Sequence, residues 1–294
     1  MATPPDAPAP PDDLGGGRRS HLFRDVIRQE GAKGVAVAVV STVVVFGLIG
    51  YVVVHSPNWP AVKHQFLNGK EFVSTFPDIA RKFVNNIWYF LICEVVILVF
   101  ALVLAVLRSL PGAVFFPLRL MSIVYTDVFR GIPTILVIYL LGFGVPALRI
   151  QGVPSSATFW ALVALILSYS AYVAEVYRAG IESIHPSQIA SARSLGLTRW
   201  KSMRFVVIPQ AVRRVVPPLL NDFVALQKDT ALVAFVVAVP EAFKEAQIFQ
   251  QSDFNFTPLL AAALLFLMVT IPLTRLVDWL LARQRSRRQA GAML

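Results

Sequence analysis

The sequence predicts an all-α, polytopic membrane protein with about six transmembrane helices. Of its 294 residues, 56% are hydrophobic and only 15% are charged, a composition too apolar for a soluble domain of this length. The apolar residues fall into separate runs, several of them near the roughly 20 residues that cross a bilayer. The net charge of +10 comes from basic residues in the tails and in alternate connections, as the positive-inside rule requires. This placement argues against nucleic-acid binding as the reason for the charge.

The first predicted element is a retained transmembrane helix that follows a basic tail. Residues 1–17 are rich in Pro, Ala, Asp and Gly, and we expect residues 1–34 to form a disordered, basic cytoplasmic tail. Residues 35–54 are uncharged and long enough to span. A cleavable signal peptide is the competing interpretation, but no clear small-x-small cleavage site follows the run. Residues 35–82 are therefore predicted to form the first span and an extracytoplasmic segment, which can hold a short interfacial helix.

Further spans are predicted within a core domain of residues 83–282. The third span is expected to bend at Gly131-Ile132-Pro133, and the fifth to start after Pro217-Pro218. Residues 240–256 hold Glu241, Glu245 and Asp253 against one lysine, Lys244, which suits the outside. Residues 283–294 form a basic cytoplasmic tail, so both termini are expected in the cytoplasm. The predicted spans of the core cover about Ile87–Leu107, Met121–Leu148, Ala157–Tyr177, Val215–Val239 and Pro258–Leu281.

The connection between the fourth and fifth spans, residues 182–209, is the most distinctive stretch, and we call it the elbow. No acidic residue occurs from position 183 to position 221, but Arg and Lys are frequent there. Its pattern is helix, break, helix, which predicts a docking surface on the water side. The signals are a helix start at Pro186 and Ser187, a left-handed turn at Gly196, a cap at Thr198 and a helix end at Pro209.

The elbow resembles the cytoplasmic coupling loop of ATP-binding-cassette (ABC) importer permeases. That loop reads Glu-Ala-Ala, three residues, Gly, nine residues and Ile-x-Leu-Pro. The matching positions here are Ala190-Ser191-Ala192, Gly196 and Val206-Val207-Ile208-Pro209. Ala190 replaces the family's Glu, and Ser191 replaces its first Ala. The residues that the resemblance assigns to coupling with an ATPase are Gln188, Ala190, Ser191, Ala192, Arg193, Gly196, Leu197, Ile208 and Pro209.

The segments around the elbow resemble the polar amino-acid branch of these permeases, from roughly Asn85 to Leu281. The resemblance implies a type I importer permease fold and import of a polar amino acid, such as glutamate, glutamine or a basic amino acid, by alternating access. It also implies a bacterial cytoplasmic membrane with its lipid, a second permease subunit (identical or homologous), two cytoplasmic ABC ATPase subunits that bind ATP and Mg, and an extracytoplasmic solute-binding protein. The matching segments are Tyr125–Thr134, Ala171–Ile181, Pro209–Ala211, Pro217–Phe223 and Lys228–Thr230.

Charged residues inside spans need an explanation, because each costs about 2.5–3.5 kcal/mol on insertion scales. Glu94 is alone in the second span, where it either faces a translocation path or bonds a neighbouring helix. Asp127 and Arg130 are three residues apart, as are Glu175 and Arg178, so each pair shares a helix face. We predict that these are structural ion pairs near the cytoplasmic ends of their helices, where they brace the elbow.

The fifth span carries a dense polar group that is the candidate solute path. A zwitterionic amino acid needs an anionic partner, a cationic partner and further hydrogen bonds, and this segment offers them. The alternative is that Lys228 and Asp229 pair with each other or with neighbouring helices and only hold the helix in place. We favour a cavity position for Asn221 and Asp222 and a structural network for Lys228 and Asp229. The polar group consists of Asn221, Asp222, Gln227, Lys228, Asp229 and Thr230.

Two common catalytic motifs are absent from the sequence. There is no Gly-x-x-x-x-Gly-Lys-Ser/Thr phosphate loop and no Gly-x-Ser-x-Gly nucleophile motif. The four histidines lack metal-ligand spacing, and the single cysteine, Cys93, lies in an apolar run that suits packing. We therefore expect no catalytic role, metal or cofactor in this chain. An ion-coupled secondary transporter and a membrane scaffold remain as alternative functions.

Overall fold

The computed structural model describes the backbone of residues 18–236 and 239–292, and the side chains of 33–236 and 239–283. Within these ranges the regular secondary structure is helical and includes no strand, so the all-α class is confirmed. The disorder predicted for residues 1–17 lies outside the described residues. The chain divides at Lys63/His64 into two compact units, and each is described by itself.

The first unit holds one long helix, α1 (Arg18–Val54). This helix includes the predicted first span, and it begins within the segment that the sequence assigned to a tail. A short helix, α2 (Trp59–Phe66), crosses the division between the units, in the segment predicted to hold an interfacial helix.

The second unit is a set of helices in which α7 and α10 enter and leave the elbow. Short π-helical turns occupy Leu140–Gly144 and Met203–Val207, and a 3-10 turn at Thr230–Phe235 continues α10. The helices are α3 (Gly69–Ser109), α4 (Phe116–Gly131), α5 (Thr134–Tyr139), α6 (Val145–Ala147), α7 (Ala157–Glu182), α8 (Pro186–Ser194), α9 (Arg199–Ser202), α10 (Ile208–Asp229), α11 (Ala242–Asp253) and α12 (Thr257–Ala292).

Most predicted spans coincide with helices that are long and apolar enough to cross a membrane. In the described part of the chain these are Lys33–Val54, Trp59–Ser109, Ala157–Glu182 and Thr257–Arg283, together with a bent pair, Ala113–Gly131 and Thr134–Ala147. The helix α10 does not qualify, because it carries several charged side chains. The count of six spans therefore stays a prediction.

The bend in the third span lies where the sequence places it. The two halves meet at 102° around Ile132 and Pro133. Pro133 has no N–H to donate and disfavours a helical conformation in the residue before it, so α4 ends at Gly131 and α5 starts afresh.

Two predictions about prolines in the fifth span are wrong. Pro209 does not end a helix. The helix α10 starts before Pro217-Pro218, because it runs from Ile208 to Asp229 and contains both of these prolines. Pro209 lies in the first turn of α10. The π-helical turn Met203–Val207 then joins α9 to α10 without a break, which sequence periodicity alone did not indicate.

The main core lies where α3, α5, α7 and the end of α10 pack together, and α4 packs against it. On α7 the contact surface includes small side chains, Ala161 and Ala164, which are fully buried and allow close helix approach. The helices α7 and α10 approach closely at Gly180, where an added Cβ would lie 2.0 Å from Cγ1 of Val215 on α10. The helices α7 and α10, which flank the elbow, therefore pack tightly against each other next to it.

Candidate coupling elbow and transport path

The first half of the elbow is a short helix closed by a Schellman turn. The helix α8 starts at Pro186, and the His185 ring nitrogen Nδ1 accepts the N–H of Ser187 at 3.2 Å. At its end the N–H of Leu197 bonds to the Ala192 carbonyl at 3.2 Å, and the N–H of Gly196 to the Arg193 carbonyl at 2.9 Å. Gly196 has φ 83°, the left-handed conformation predicted for it.

The second half of the elbow is capped by Thr198, as predicted. The Thr198 hydroxyl accepts the N–H of Lys201 at 3.3 Å, and α9 then passes through the π-helical turn into α10. Because Pro209 has no N–H, it cannot bond the carbonyl four residues earlier, at Phe205, and the wider turn next to it accommodates this loss. Turns of this kind are common at functional sites.

The surface of the elbow combines exposed large apolar side chains with positive charge. Leu195, Trp200 and Phe205 are 84%, 68% and 64% exposed. Of the predicted coupling residues, Ala192 is buried and Leu197 is half-buried, so both support the turn from inside. The exposed ones are Gln188, Ala190, Ser191, Arg193, Gly196, Ile208 and Pro209. Exposed Leu, Trp and Phe side chains grouped among basic residues are typical of a protein docking surface.

A cluster of charged side chains joins the elbow to three helices. Glu175 of α7 accepts Arg178 Nε at 2.9 Å and Arg108 Nη1 of α3 at 3.3 Å, and its Oε2 lies 3.9 Å from Arg130 Nη1 of α4. Arg178 also pairs with Glu182, at the start of the elbow. The predicted ion pair of Glu175 and Arg178 is therefore present. The structure adds Arg108, which sequence reasoning missed because it lies 67 positions away from Glu175.

The predicted pair of Asp127 and Arg130 is wrong. Arg130 instead faces Glu175 and lies over the Tyr172 ring, with its Cζ 5.9 Å from the ring centroid. Asp127 is exposed. Spacing along one helix showed that Asp127 and Arg130 share a face, but a carboxylate on the neighbouring helix α7 takes the guanidinium.

The last turn of α10 is held by hydrogen bonds to other helices. Asp229 Oδ2 accepts the Tyr169 hydroxyl of α7 at 2.6 Å. Gln227, which is buried, accepts the Thr270 hydroxyl of α12 at 2.8 Å, and the Thr230 hydroxyl donates to the Gln227 carbonyl at 2.8 Å. These three residues of the candidate solute path therefore position the helix in this structure.

Of the structural network predicted for Lys228 and Asp229, the pairing with each other is wrong, whereas Asp229 does bond to the neighbouring helix α7. Among the side chains that the structure describes, no ion pair joins the two residues, because Asp229 turns to Tyr169 while Lys228 stays exposed. Asn221, seven positions before Lys228, is also exposed, so α10 presents an amide and an ammonium group on one open face.

Two carboxyl groups approach each other where α3 packs on α10. The rings of Phe90 and Phe223 meet there with centroids 4.7 Å apart, and Glu94, one turn after Phe90, interacts electrostatically with Asp222. The Asp222 Oδ2 atom is buried without a hydrogen-bond partner in the structure. Neither carboxyl group has an ion-pair partner among the described side chains. Among all the residues that the structure describes, no group of three or more His, Cys, Asp or Glu side chains could hold a metal ion.

Apolar helices joined by a basic, exposed elbow are typical of a multi-pass membrane protein. A profile of the family described as "Binding-protein-dependent transport system inner membrane component" matches residues 99–286, and the chain belongs to that family. It is 31% identical over 211 residues to the probable glutamine ABC transporter permease protein GlnM of Bacillus subtilis, covering 71% of this chain and 95% of that one. It is 33% identical over 175 residues to the glutamate/aspartate import permease protein GltK of Escherichia coli O6:H1, covering 58% and 78%.

Solved structures show the same fold. The chain is 28% identical to one described as the crystal structure of an amino acid ABC transporter with histidines, with a TM-score of 0.64, covering 72% of this chain and 96% of that one. The fold is that of an ABC importer permease, and the protein is a component of the inner membrane.

Proposed function

We propose that this chain is the translocating subunit of an ATP-driven importer that carries a polar amino acid across the bacterial cytoplasmic membrane. Its relatives GlnM and GltK are described as permeases for glutamine and for glutamate/aspartate, which supports this substrate class. The elbow and both termini face the cytoplasm, and the end that carries α11 faces outward, in agreement with the charge distribution.

The observation that carries this proposal is the exposed apolar and basic surface of the elbow. Leu195, Trp200 and Phe205 would be fully desolvated only against a partner. The partner we propose is a cytoplasmic ABC ATPase subunit, one for each of two permease subunits, which binds the ATP and Mg. The chain itself contributes no nucleotide site, and a solute-binding protein delivers the amino acid on the outside.

The packing around the elbow suits it to transmit motion. Gly180 and Val215 bring α7 and α10 into close contact on either side of it, and Arg214 of α10 donates to the Ser183 carbonyl. Glu175 adds α3 and α4 through their arginines. A displacement of the elbow by the ATPase would therefore move four helices together, which is how we propose that access alternates between the two sides.

The solute path is proposed to follow the open face of α10. Asn221 and Lys228 offer an amide and a cation to an amino acid's carboxylate, and Asp222 and Glu94 offer anions to its ammonium group. Gln227, Asp229 and Thr230 hold the helix behind this face.

The test is a change on the elbow surface that leaves the helices untouched. Leu195→Asp should reduce both the ATPase subunits that co-purify with this chain and ATP-driven uptake in vesicles by about tenfold or more, since an interface anchor is worth over 1.4 kcal/mol. Leu148→Asp is the matched control, because Leu148 is 67% exposed but lies outside the elbow. Normal ATPase association of the elbow variant would contradict the proposal. Uptake that survives ATP depletion but stops when the ion gradient collapses would favour a secondary transporter.

A further inference from the structure

At the end of α10 away from the elbow, a carboxyl group is completely buried. Glu241 is 0% exposed and caps α11: its Oε2 accepts the N–H of Phe243 at 2.8 Å, and its Oε1 accepts the N–H of Lys244. Caps at helix starts are usually Ser, Thr, Asp or Asn in contact with water. A buried Glu in this position requires a further partner, since a charged group is costly to bury alone.

That partner is Asn86 of α3, whose side-chain amide joins three elements. Its Nδ2 donates to Glu241 Oε2 at 3.1 Å and to the Thr230 hydroxyl at 3.3 Å. Its Oδ1 accepts the N–H of Ala242 at 3.0 Å, which fixes the orientation of the amide. Both amide N–H donors and the carbonyl are thus used, at a residue that is 1% exposed.

The neighbouring residues of α3 hold the same segment through its backbone. Asn85 Nδ2 donates to the Pro240 carbonyl at 2.8 Å, and the Tyr89 hydroxyl donates to the same carbonyl at 3.3 Å. We call Asn86 and Glu241, with these supporting contacts, the clamp.

The clamp is attached directly to the proposed solute path. Thr230, which Asn86 holds, is the residue at which α10 ends and the 3-10 turn begins. It follows Asp229 and bonds back to the Gln227 carbonyl. The 22 residues of α10 span about 33 Å at 1.5 Å per residue, so the elbow and the clamp act on opposite ends of one helix.

We propose that Asn86 and Glu241 are positioning residues that fasten the far end of α10 to α3 and α11, and that this fastening loosens as the water on that side becomes more alkaline. This rests on the proposed function for its role in transport, but the state of the clamp can be measured without transport. The two residues contact no solute in this scheme; they act through Thr230 and the segment that follows it.

The direction of the pH effect follows from the burial of Glu241. Burial raises the pKa of its carboxyl to about 7 from an ordinary 4.5, although the bonds from Phe243, Asn86 and Lys244 and the charge of Lys244 act the other way. The closed clamp therefore binds the proton more tightly than a released, hydrated Glu241 does. Its added stability is complete below about pH 4.5 and is lost as the pH rises through about 7.

The other groups that face Glu241 do not produce this dependence. Lys244 on α11 and Tyr89 on α3 are the titratable neighbours. Lysine and tyrosine side chains in general change charge at about pH 10, well above the range in which a carboxyl group does. Asn86 and Thr230 are uncharged.

The test measures opening of the clamp with a thiol probe. Val239 is 1% exposed and adjoins the clamp, so Val239→Cys in a Cys93→Ala background should react with a water-soluble maleimide only when the segment is released. In the assembled complex without ATP, the reaction rate should rise by about tenfold or more from pH 5.5 to pH 8. This factor follows from a Glu241 pKa of about 7 in the closed clamp and an ordinary pKa of 4.5 in the released segment. The intrinsic thiol rate is corrected with an exposed cysteine, Gln251→Cys.

Isosteric variants then assign the effect to the clamp. Glu241→Gln should remove the pH dependence, while Glu245→Gln on the same helix should keep it. Glu241→Gln alone keeps one accepting oxygen and places an NH2 group where a backbone N–H of α11 needs an acceptor. Asn86→Asp alone sets two carboxylates against each other, so each variant should lower ATP-driven uptake. In the double variant Asn86→Asp/Glu241→Gln the new glutamine amide can donate to the new aspartate, so uptake should exceed that of Asn86→Asp alone, which also covers the case in which that single variant fails to fold.

The outcomes separate the clamp from the transport function. A rate that does not change with pH, or changes equally in Glu241→Gln, overturns the clamp even if the complex imports amino acids. A double variant no better than Asn86→Asp alone also overturns it. A pH-dependent rate in a complex that takes up no polar amino acid would leave the clamp standing and defeat the proposed function.

Discussion

At the scale of single residues, partners from other helices decide what each polar group does. Asp229 bonds to Tyr169 and Arg130 faces Glu175, so neither pairs with its neighbour in sequence. A buried acceptor left without its donor costs about 1–3 kcal/mol, whereas an exposed charge without a partner costs little to remove.

The first prediction follows from this difference. Tyr169→Phe should lower the stability of the assembled complex by about 1–3 kcal/mol, because Asp229 loses its hydroxyl donor. Lys228→Met should change it by less than about 0.5 kcal/mol, since Lys228 is exposed. Thermal unfolding of the purified complex measures both. Equal losses would mean that Lys228 supports Asp229 after all.

A second prediction concerns the close contact between α7 and α10. Gly180→Ala should destabilise the complex by about 1–3 kcal/mol, because the new Cβ would lie 2.0 Å from Val215 Cγ1. Adding Val215→Ala should restore much of the loss. Gly47→Ala, with nothing within 4 Å of its Cβ, serves as the control and should be tolerated. Failure of Val215→Ala to compensate would place the strain elsewhere.

At the scale of elements, the elbow depends on one left-handed residue, and this gives a third prediction. Gly196→Val should weaken ATPase association and uptake, since a β-branched residue at φ 83° costs about 1–2 kcal/mol of strain. Gly196→Asn should be far milder, because Asn tolerates this conformation and no atom lies within 4 Å of an added Cβ. Co-purification of the ATPase measures the effect; equal behaviour of the two variants would show that strain is not the cause.

At the scale of the whole molecule, the fourth prediction tests which side each connection faces. Cysteines at Lys201, in the elbow, and at Asp253, at the end of α11, should be labelled from opposite sides of the membrane in a Cys93→Ala background. The basis is that α10 starts at the elbow and ends at the segment leading to α11. Labelling from one side would contradict the proposed path of the chain and require an even number of crossings between the two sites.

The sequence by itself determined the class of protein, most of the spans and the shape of the elbow. Apolar run length, the Gly131-Ile132-Pro133 break and the Gly196 turn are local features, because each depends on a few adjacent residues and the solvent around them.

Only the tertiary structure decided which polar residues meet. Asn86 and Glu241 are 155 positions apart, and Arg108 and Glu175 are 67 apart, so no spacing rule connects them. The tertiary structure also decided the length of α10, in which the prolines suggested breaks. The helix packs against α7, and the π-helical turn before it accommodates the absence of an N–H at Pro209. Hydrogen bonds and ion pairs form with whichever group the packing brings near, and spacing along one helix does not show which groups of other helices those are.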